Sequence, residues 1–358
     1  MKKNLIALAV LAASGVASAQ SNVTLYGLVD AYVGTSREKI SELGVSTSER
    51  RNGVDSGGFN TSRFGLKGSE DLGGGLKANF VLEAGFDVST GAANNYVSPY
   101  NFVALTPTNP NGLVETHSTF GRQSWVGLSG GFGEVRIGKM WTPYDEVKGS
   151  GAAAFDANIF APATGVWVSN SYQDRPGNAL YYATPSFSGF SAAAMYSFGE
   201  NKTATTSAGK IASFNIQYAG GPVAAALAYQ TEKQGGATAQ IADTTKFTQL
   251  NGSYDFGPAK LLAAYGHVKE GGDKAKEFQI GVDVPLGAIT LSGGVARSKI
   301  TLGAGGEEKR TGVGLAAKYD LSKRTFLYTG LQLAKNEITG SGSETKTDTF
   351  AVGVQHKF

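Results

Sequence analysis

The sequence contains no cysteine and little proline, and each absence limits what the chain can be. Without cysteine there is no disulfide scaffold, no thiolate zinc site and no thiol nucleophile. With only 10 prolines in 358 residues and no three-residue glycine period, a collagen-like chain is excluded. Charged residues amount to 17% and the net charge is +3, so bulk charge indicates neither a disordered polyelectrolyte nor a nucleic-acid-binding protein.

Long hydrophobic runs are also missing, apart from one near the start of the chain. Residues 5–13 are apolar, two lysines precede them, and the small-x-small pattern Ala-Ser-Ala ends at Ala19. These features predict a secretory signal peptide over 1–19 and a mature domain over 20–358. The run is too short for a spanning helix of about 20 residues, and no later segment reaches about 18 apolar residues.

The chain is rich in glycine, with 50 residues, and in segments that alternate with period two. Apolar side chains interleave with polar or small ones over 278–284, 313–319 and 350–358. Successive side chains of a strand point to opposite faces, so each segment predicts a strand with one apolar face. No comparably long pattern has the helical period, which predicts a low helix content.

The connections between the predicted strands alternate between short and long. Seven short ones carry Gly, Pro, Asp and Ser, the residues that form tight turns. They lie at 69–75, 129–133, 185–189, 219–222, 255–258, 284–287 and 320–323. Eight longer ones lie at about 34–60, 87–118, 142–176, 199–209, 231–244, 269–276, 299–309 and 336–347. Seven turns and eight loops separate sixteen strands.

Strict alternation places all turns at one end of the sheet and all loops at the other, as in outer-membrane barrels. A closed barrel gives every backbone N–H and C=O a partner within lipid. The sequence therefore predicts an all-β protein, a transmembrane 16-stranded antiparallel up-and-down β-barrel, with apolar side chains toward lipid and polar ones toward a wet lumen. The alternative is a soluble sandwich or a lipocalin-like barrel, although eight strands would use only about half of this chain.

Five motifs strengthen this interpretation: QSNVTLYGLVD at 20–30, SRFGLKGSEDLG at 62–73, GRQSWVGL at 121–128, FGEVRIGK at 132–139 and VGVQHKF at 352–358. In their order along the chain, these motifs resemble those of the general porins of Gram-negative bacteria, of the β-proteobacterial type. The resemblance implies a homotrimer in the outer membrane, in contact with lipid and lipopolysaccharide, that passes small hydrophilic solutes and ions by passive diffusion. It also implies that the terminal Phe358 is read by the barrel-assembly machinery.

In the family that the chain resembles, the third extracellular loop folds into the barrel and constricts the pore. Here that loop covers 142–173 and would offer the acids Asp145, Glu146 and Asp156. The sequence lacks the Pro-Glu-Phe-Gly motif that many family members carry there, so an ordinary exposed loop is the alternative.

The resemblance also implies a basic wall that faces this loop. Arg63 and Lys67 are four residues apart and share a strand face, opposite Phe64 and Leu66. The full predicted set is Arg63, Lys67, Lys77, Arg122, Arg136, Lys139 and Arg175. Strict alternation cannot place both Arg136 and Lys139 in the lumen, because they are three apart, unless a bulge or a strand end intervenes. Cations facing loop acids predict a field across the pore, and the excess of basic over acidic candidates predicts a weak anion preference.

No catalytic set, metal site or cofactor site is predicted. Residues 127–131 match the G-x-S-x-G pattern but lie between two strands, whereas the nucleophile elbow requires a strand, a turn and a helix. The three histidines have no metal-binding spacing. The predicted function is a non-enzymatic diffusion channel. A substrate-specific channel for a sugar or an organic acid stays open as an alternative, and a barrel enzyme is less favoured.

Overall fold

A computed structural model describes residues 22–94, 119–199, 206–233, 236–237 and 244–358. The predicted signal peptide and most of the predicted connection at 87–118 lie outside these residues. Within the described ranges no helix is long and apolar enough to cross a membrane.

Strands make up most of the described chain. In chain order they are β1 Asn22–Glu42, β2 Val45–Ser56, β3 Arg63–Gly73, β4 Leu76–Phe86, β5 Ala93–Asn94, β6 Gln123–Gly130, β7 Gly133–Lys139, β8 Ala179–Ala183, β9 Phe190–Ser197, β10 Thr206–Ser207, β11 Lys210–Gly220, β12 Val223–Lys233, β13 Gly236–Ala237, β14 Thr244–Asp255, β15 Lys260–Glu270, β16 Asp273–Leu286, β17 Ile289–Thr301, β18 Glu307–Asp320, β19 Thr325–Ile338 and β20 Ser343–Lys357. The one α-helix of the described residues is α1, Pro143–Lys148, and single 3₁₀ turns follow at Gly149–Gly151, Ala154–Asp156 and Val168–Asn170.

The long strands form one closed antiparallel barrel. Each pairs with its neighbour in chain order, and β1 pairs with β20 to close the circle, for example Val33 with Val352. Both β2 and β3 pair with β1, through Ala31–Ser56 and Leu28–Arg63, so they are two halves of one strand interrupted at 57–62. The two-residue strands β5, β10 and β13 are accessory. The barrel therefore has sixteen strands, which confirms the prediction.

The side chains are distributed inside out with respect to a soluble protein. On β16, Phe278 and Ile280 are 59% and 52% exposed, whereas Glu277 and Gln279, which alternate with them along the strand, are buried. The same alternation on β6 exposes Val126 and buries Trp125. The exposed apolar side chains point away from the barrel axis and the buried ones, many of them polar, point toward it.

All seven predicted turns separate consecutive strands, but several predicted loops are wrong. The regions 34–60 and 269–276 are strand for most of their length and turn at 43–44 and 271–272. Leu43 and Gly44 have φ of 49° and 84°, as a two-residue type I′ hairpin requires. The alternation of apolar and polar residues does not reveal these extensions. Strand ends beyond the apolar band are polar on both faces, so the period-two hydrophobic signal stops before the strand does.

Candidate functional site

Residues 142–173, here called the inner segment, follow β7 and fold against inward-facing side chains of the barrel. Thr142 caps α1 by accepting a hydrogen bond from the Asp145 N–H at 3.2 Å, and Pro143 occupies the first helical position. Inward-facing amides of four strands then donate to backbone carbonyls of the segment at 2.5–3.0 Å. The pairs are Asn215 with Pro143, Asn251 with Val147, Gln279 with Gly151 and Gln332 with Thr164.

Glu277 holds the returning limb of the inner segment. Its carboxylate is fully buried on β16 and accepts from the N–H groups of Val168 and Ser169 at 2.6 and 3.0 Å. The hydroxyls of Ser169 and Ser298 also donate to it. A buried carboxylate with this many donors fixes the position of the 3₁₀ turn that it caps.

Glycines in the wall allow the inner segment to lie directly on the strands. A Cβ added to Gly312 would lie 2.0 Å from the Pro162 carbonyl oxygen. One added to Gly314 would lie 2.1 Å from the carbonyl oxygen of Phe160. The glycines therefore have a second role in addition to forming turns: those on the wall make room for the inner segment within the barrel.

On the other side of the lumen, two arginines lie against one indole. Arg175 and Arg122 place their guanidinium carbons 4.1 and 5.4 Å from the ring centroid of Trp141. Arg63 and Lys67 follow on β3. These four side chains are here called the basic cluster: Arg63, Lys67, Arg122 and Arg175. Planar guanidinium groups stack favourably on an indole face, which lets like charges lie close together.

A carboxylate that sequence reasoning missed lies within the basic cluster. Glu83 of β4 is buried, pairs with Arg122 Nε at 2.7 Å and lies 3.6 Å from Arg63 Nε. The Tyr26 hydroxyl donates to the same carboxylate at 3.0 Å, and the Lys67 ammonium lies 5.2 Å from the centre of the Tyr26 ring. Alternation along β4 could have indicated Glu83, because it places Glu83 on the same face as Lys77. No sequence pattern indicated Trp141, which lies outside the strands.

Arg136 and Lys139, which alternation could not both place inside, have different surroundings. Arg136 lies between the rings of Trp125 and Tyr181, at 4.6 and 4.7 Å, and pairs with Glu134 at 2.6 Å. Lys139 is the last residue of β7 and donates from Nζ to the Arg175 carbonyl oxygen at 2.6 Å. Between them Gly138 has φ of 134°, a backbone irregularity at the strand end.

Lys77 shares the inward face with Glu83 but lies six residues along β4, near the turn at 73–75. At about 3.3 Å per residue this places it about 20 Å from Glu83, at the mouth of the barrel. It is therefore separate from the basic cluster.

The three predicted loop acids lie in different places. Glu146 accepts from the Tyr181 hydroxyl at 2.9 Å, on the same ring that packs against Arg136. Asp145 accepts from the Tyr172 hydroxyl within the inner segment. Asp156 lies back against Gly149, whose added Cβ would be 3.0 Å from its Oδ2. Glu146 is thus next to a predicted basic residue, whereas the described contacts of Asp145 and Asp156 are with the segment itself.

Burial raises the pKa of Asp145 to about 6. Asp174 acts in the same direction, and Lys148 opposes it. The side chain therefore changes charge in a pH range where ordinary aspartates stay ionised.

A model of the Gram-negative porin family matches residues 6–339. The chain is 35% identical over 375 residues to outer membrane porin protein 32 of Delftia acidovorans, covering 99% of this chain and 95% of that one. It is 30% identical over 415 residues to an outer membrane porin protein of Bordetella pertussis, covering 100% of both.

Two solved structures show the same fold. The anion-selective porin from Comamonas acidovorans is 28% identical, with a TM-score of 0.73 over 94% of this chain and all of that one. OmpT of Vibrio cholerae, in its trimer form, is 17% identical, with a TM-score of 0.66 over 94% of this chain and 99% of that one.

Proposed function

This chain belongs to the Gram-negative porin family, and we propose that it is a diffusion porin whose passage is constricted between the inner segment and the basic cluster and weakly favours anions. It is an outer-membrane porin with a closed barrel of sixteen strands. The observation that carries the proposal is the stack of Arg175, Trp141 and Arg122, with Arg63 and Lys67 beside it.

The inner segment supports the constriction. It is hydrogen-bonded to inward-facing groups of β11, β14, β16 and β19, so it occupies the side of the lumen that these strands form. Solutes then pass on the side of β3, β4 and β6, where the basic cluster lies.

The charge balance of the cluster supports the anion preference. Four cations accompany Glu83 and Asp174, the latter 2.9 Å from Arg175, so positive charge is in excess. A unit charge about 7 Å from a passing ion in water contributes about 0.6 kcal/mol, close to RT. Each unbalanced cation therefore raises the local concentration of anions about two- to threefold and lowers that of cations by the same factor. The similar porin from Comamonas acidovorans is described as anion-selective.

The stacking also keeps the cations in place without neutralising them. An indole face attracts a guanidinium but carries no net charge, whereas a second carboxylate would cancel the field that an anion meets. Arg122 can therefore combine one ion pair to Glu83 with a ring contact to Trp141.

The proposal extends to assembly. We infer a homotrimer with one channel per barrel, as a solved neighbour of the same fold is described in a trimer form. We also infer insertion by the barrel-assembly machinery through Phe358, and contact with outer-membrane lipid and lipopolysaccharide.

Single-channel recording of the purified protein in a planar bilayer tests these statements together. We expect openings in groups of three equal steps, and in a salt gradient a reversal potential of the sign that anions give. A reversal potential of the cationic sign would overturn the selectivity, and single isolated steps would overturn the trimer.

A further inference from the structure

A cavity of about 360 Å³ lies beneath the inner segment, at the end of the barrel where the short turns are. The segment covers it with residues from 149–155. Inward-facing side chains near the turn ends of β15, β16, β18, β19 and β20 form most of the remaining wall. This space, here called the turn-side cavity, shares no residue with the basic cluster.

Three phenylalanine rings form one wall of the turn-side cavity. Phe59 stacks on Phe155 with ring centroids 5.5 Å apart and meets the edge of Phe326 at 4.9 Å. Aromatic rings pack well on one another in such offset and edge-to-face arrangements, so the wall favours a flat ring as its occupant. A hydrated inorganic ion gains nothing from it.

Three ammonium groups line the same cavity, on the inward faces of β15, β18 and β20: Lys260, Lys318 and Lys357. Lys318 pairs with Asp320 at 3.2 Å, and Lys260 lies opposite Asp283 in the strand register. Within the described residues Lys357 has no ion pair. Three positive charges therefore meet two negative ones, which leaves an excess positive charge for an anion from outside the chain.

Gln355 adds a hydrogen-bond donor to the wall of the cavity. It is buried on β20, and its Oε1 accepts from Asn60 Nδ2 at 2.8 Å. Its Nε2 has no partner among the described residues. A buried amide donor without a partner costs free energy, so an acceptor oxygen in the cavity would stabilise it.

We propose that the turn-side cavity binds an aromatic carboxylate. The ring lies against the three phenylalanines, and the carboxylate accepts hydrogen bonds from Gln355 Nε2 and the neighbouring ammonium groups. One small molecule can reach both walls, because the Lys318 ammonium lies 5.5 Å from the centre of the Phe326 ring. The short turns of outer-membrane barrels face the periplasm, so the site retains one class of solute on that side of the inner segment.

The test measures binding of 4-fluorobenzoate to the full-length protein in detergent micelles, from the broadening of its fluorine NMR line. The broadening is expected to saturate and to be reversed by unlabelled benzoate. Acetate supplies the charge without the ring and is expected not to reverse it. The uncharged 4-fluorobenzyl alcohol is expected to broaden no more than in protein-free micelles. Displacement by acetate, or equal binding of the alcohol, would overturn the assignment without any variant.

A double variant tests the charged wall. Lys260→Gln with Lys318→Gln is expected to weaken binding about fivefold or more, because an ammonium about 4 Å from a carboxylate contributes about fivefold in affinity even in bulk water. The matched control changes two outward-facing lysines, Lys210→Gln with Lys346→Gln, and is expected to bind like the unaltered protein. Equal binding by both double variants would contradict the proposal.

A single variant tests the aromatic wall. Phe326→Leu keeps the wall apolar and removes one ring, so binding is expected to weaken about two- to tenfold, the contribution of an aromatic pair beyond its buried area. Phe350→Leu, on the outward face of β20, is the control. Heat-dependent mobility on a gel checks the folding of each variant. A Phe326→Leu protein that binds as tightly as the control would refute the ring contact. Since this assay needs no ion flow, its result is separate from any failure of the proposed selectivity.

Discussion

At the scale of single residues, Glu83 allows four cations to share one wall of the lumen. Its carboxylate is bonded to Arg122 and Tyr26 and lies near Arg63, so one negative charge offsets the repulsion of several positive ones. A buried carboxylate with these partners is costly to remove, because a buried charge would lose its counter-ion. The cations of the cluster differ in exposure: the side chain of Arg63 is 28% exposed, whereas that of Arg122 is 4% exposed.

Arg63 is therefore the cation of the cluster whose loss is easiest to interpret. We expect Arg63→Gln to reduce the ratio of anion to cation permeability by up to about sevenfold, because losing one unit charge lowers the local anion concentration and raises the local cation concentration, each about two- to threefold. The measurement is the reversal potential in a potassium chloride gradient. Lys210→Gln, an exposed outward-facing position on β11, is the control. If both variants give the unaltered reversal potential, the cluster does not set selectivity.

The raised pKa of Asp145 predicts that the anion preference of the channel depends on pH. With a pKa of about 6, this side chain is charged at pH 7.5 and neutral at pH 5. Acidification removes a negative charge from the inner segment, so anion preference is expected to increase as the pH falls through 6. Asp145→Asn has no such charge to lose, and its reversal potential should lack this step between pH 7.5 and pH 5. An identical step in both proteins would assign the titration to another group.

The residues of the site were predictable to different degrees. Arg63 and Lys67 followed from period-two alternation beside apolar neighbours, and the structure places both in the cluster with Arg122 and Arg175. Glu83 and Trp141 did not follow, because a carboxylate is as acceptable on an inward strand face as any polar group and the position of an indole outside a strand depends on tertiary packing. The direction of the Lys139 side chain could not be predicted, because the irregular backbone at Gly138 leaves no trace in the hydrophobic pattern.

At the scale of elements, the inner segment and the strands beneath it fit each other. Gly281, Gly294 and Gly312 face inward where the segment passes, and a Cβ on any of them would lie within 2.6 Å of a segment atom. Side chains here would push the segment off the wall, so the strand sequence and the segment path depend on each other.

We expect Gly312→Val to lower single-channel conductance. The added side chain overlaps the Pro162 carbonyl oxygen, so the segment must move toward the basic cluster and narrow the remaining passage. Gly252→Val on β14 is the matched control, since a Cβ there has its nearest neighbour, a backbone oxygen, at 3.9 Å. Unchanged conductance in Gly312→Val would show that the segment does not bound the passage.

The positions of the short turns, predicted from their residue types, agree with the structure better than the predicted extents of the long loops. Each of the seven predicted turns separates consecutive strands, because Gly, Pro, Asp and Ser mark the backbone conformations that a tight reversal needs. The two-residue turns at 43–44 and 271–272 were missed, since both regions were predicted as long loops. The prediction of a loop at 34–60 was wrong because β1 and β2 continue there as a polar hairpin. Backbone pairing from Ala31–Ser56 to Glu42–Val45 holds this hairpin together. Pairing of this kind needs no apolar face, so a hydrophobic pattern cannot report it.

At the scale of the whole molecule, closure of the barrel depends on a seam at the C-terminus. Phe358 and Gly27 exchange backbone hydrogen bonds at 3.0 and 3.1 Å, and the Phe358 ring covers Gly27, where an added Cβ would lie 2.5 Å from it. The same residue thus has a structural place in the seam beside its predicted part in assembly.

Phe358→Ala separates these two roles. We expect refolding into detergent micelles, measured by heat-dependent mobility on a gel, to stay within about twofold of the unaltered protein, because the backbone bonds of the seam remain. Insertion in cells is expected to fall much further, since the side chain is what the assembly machinery would read. Equal losses in both assays would assign Phe358 to the seam alone.

The inner segment has one more consequence, which concerns mechanical strength. Without such a segment, the wall of a barrel is stiffened by the hydrogen bonds between its own strands. Here buried side chains from β11, β14, β16 and β19 are tied to one strip of backbone that runs between them. The strip therefore braces the side of the wall that these four strands form, and any loosening of it should be felt as a softer wall there.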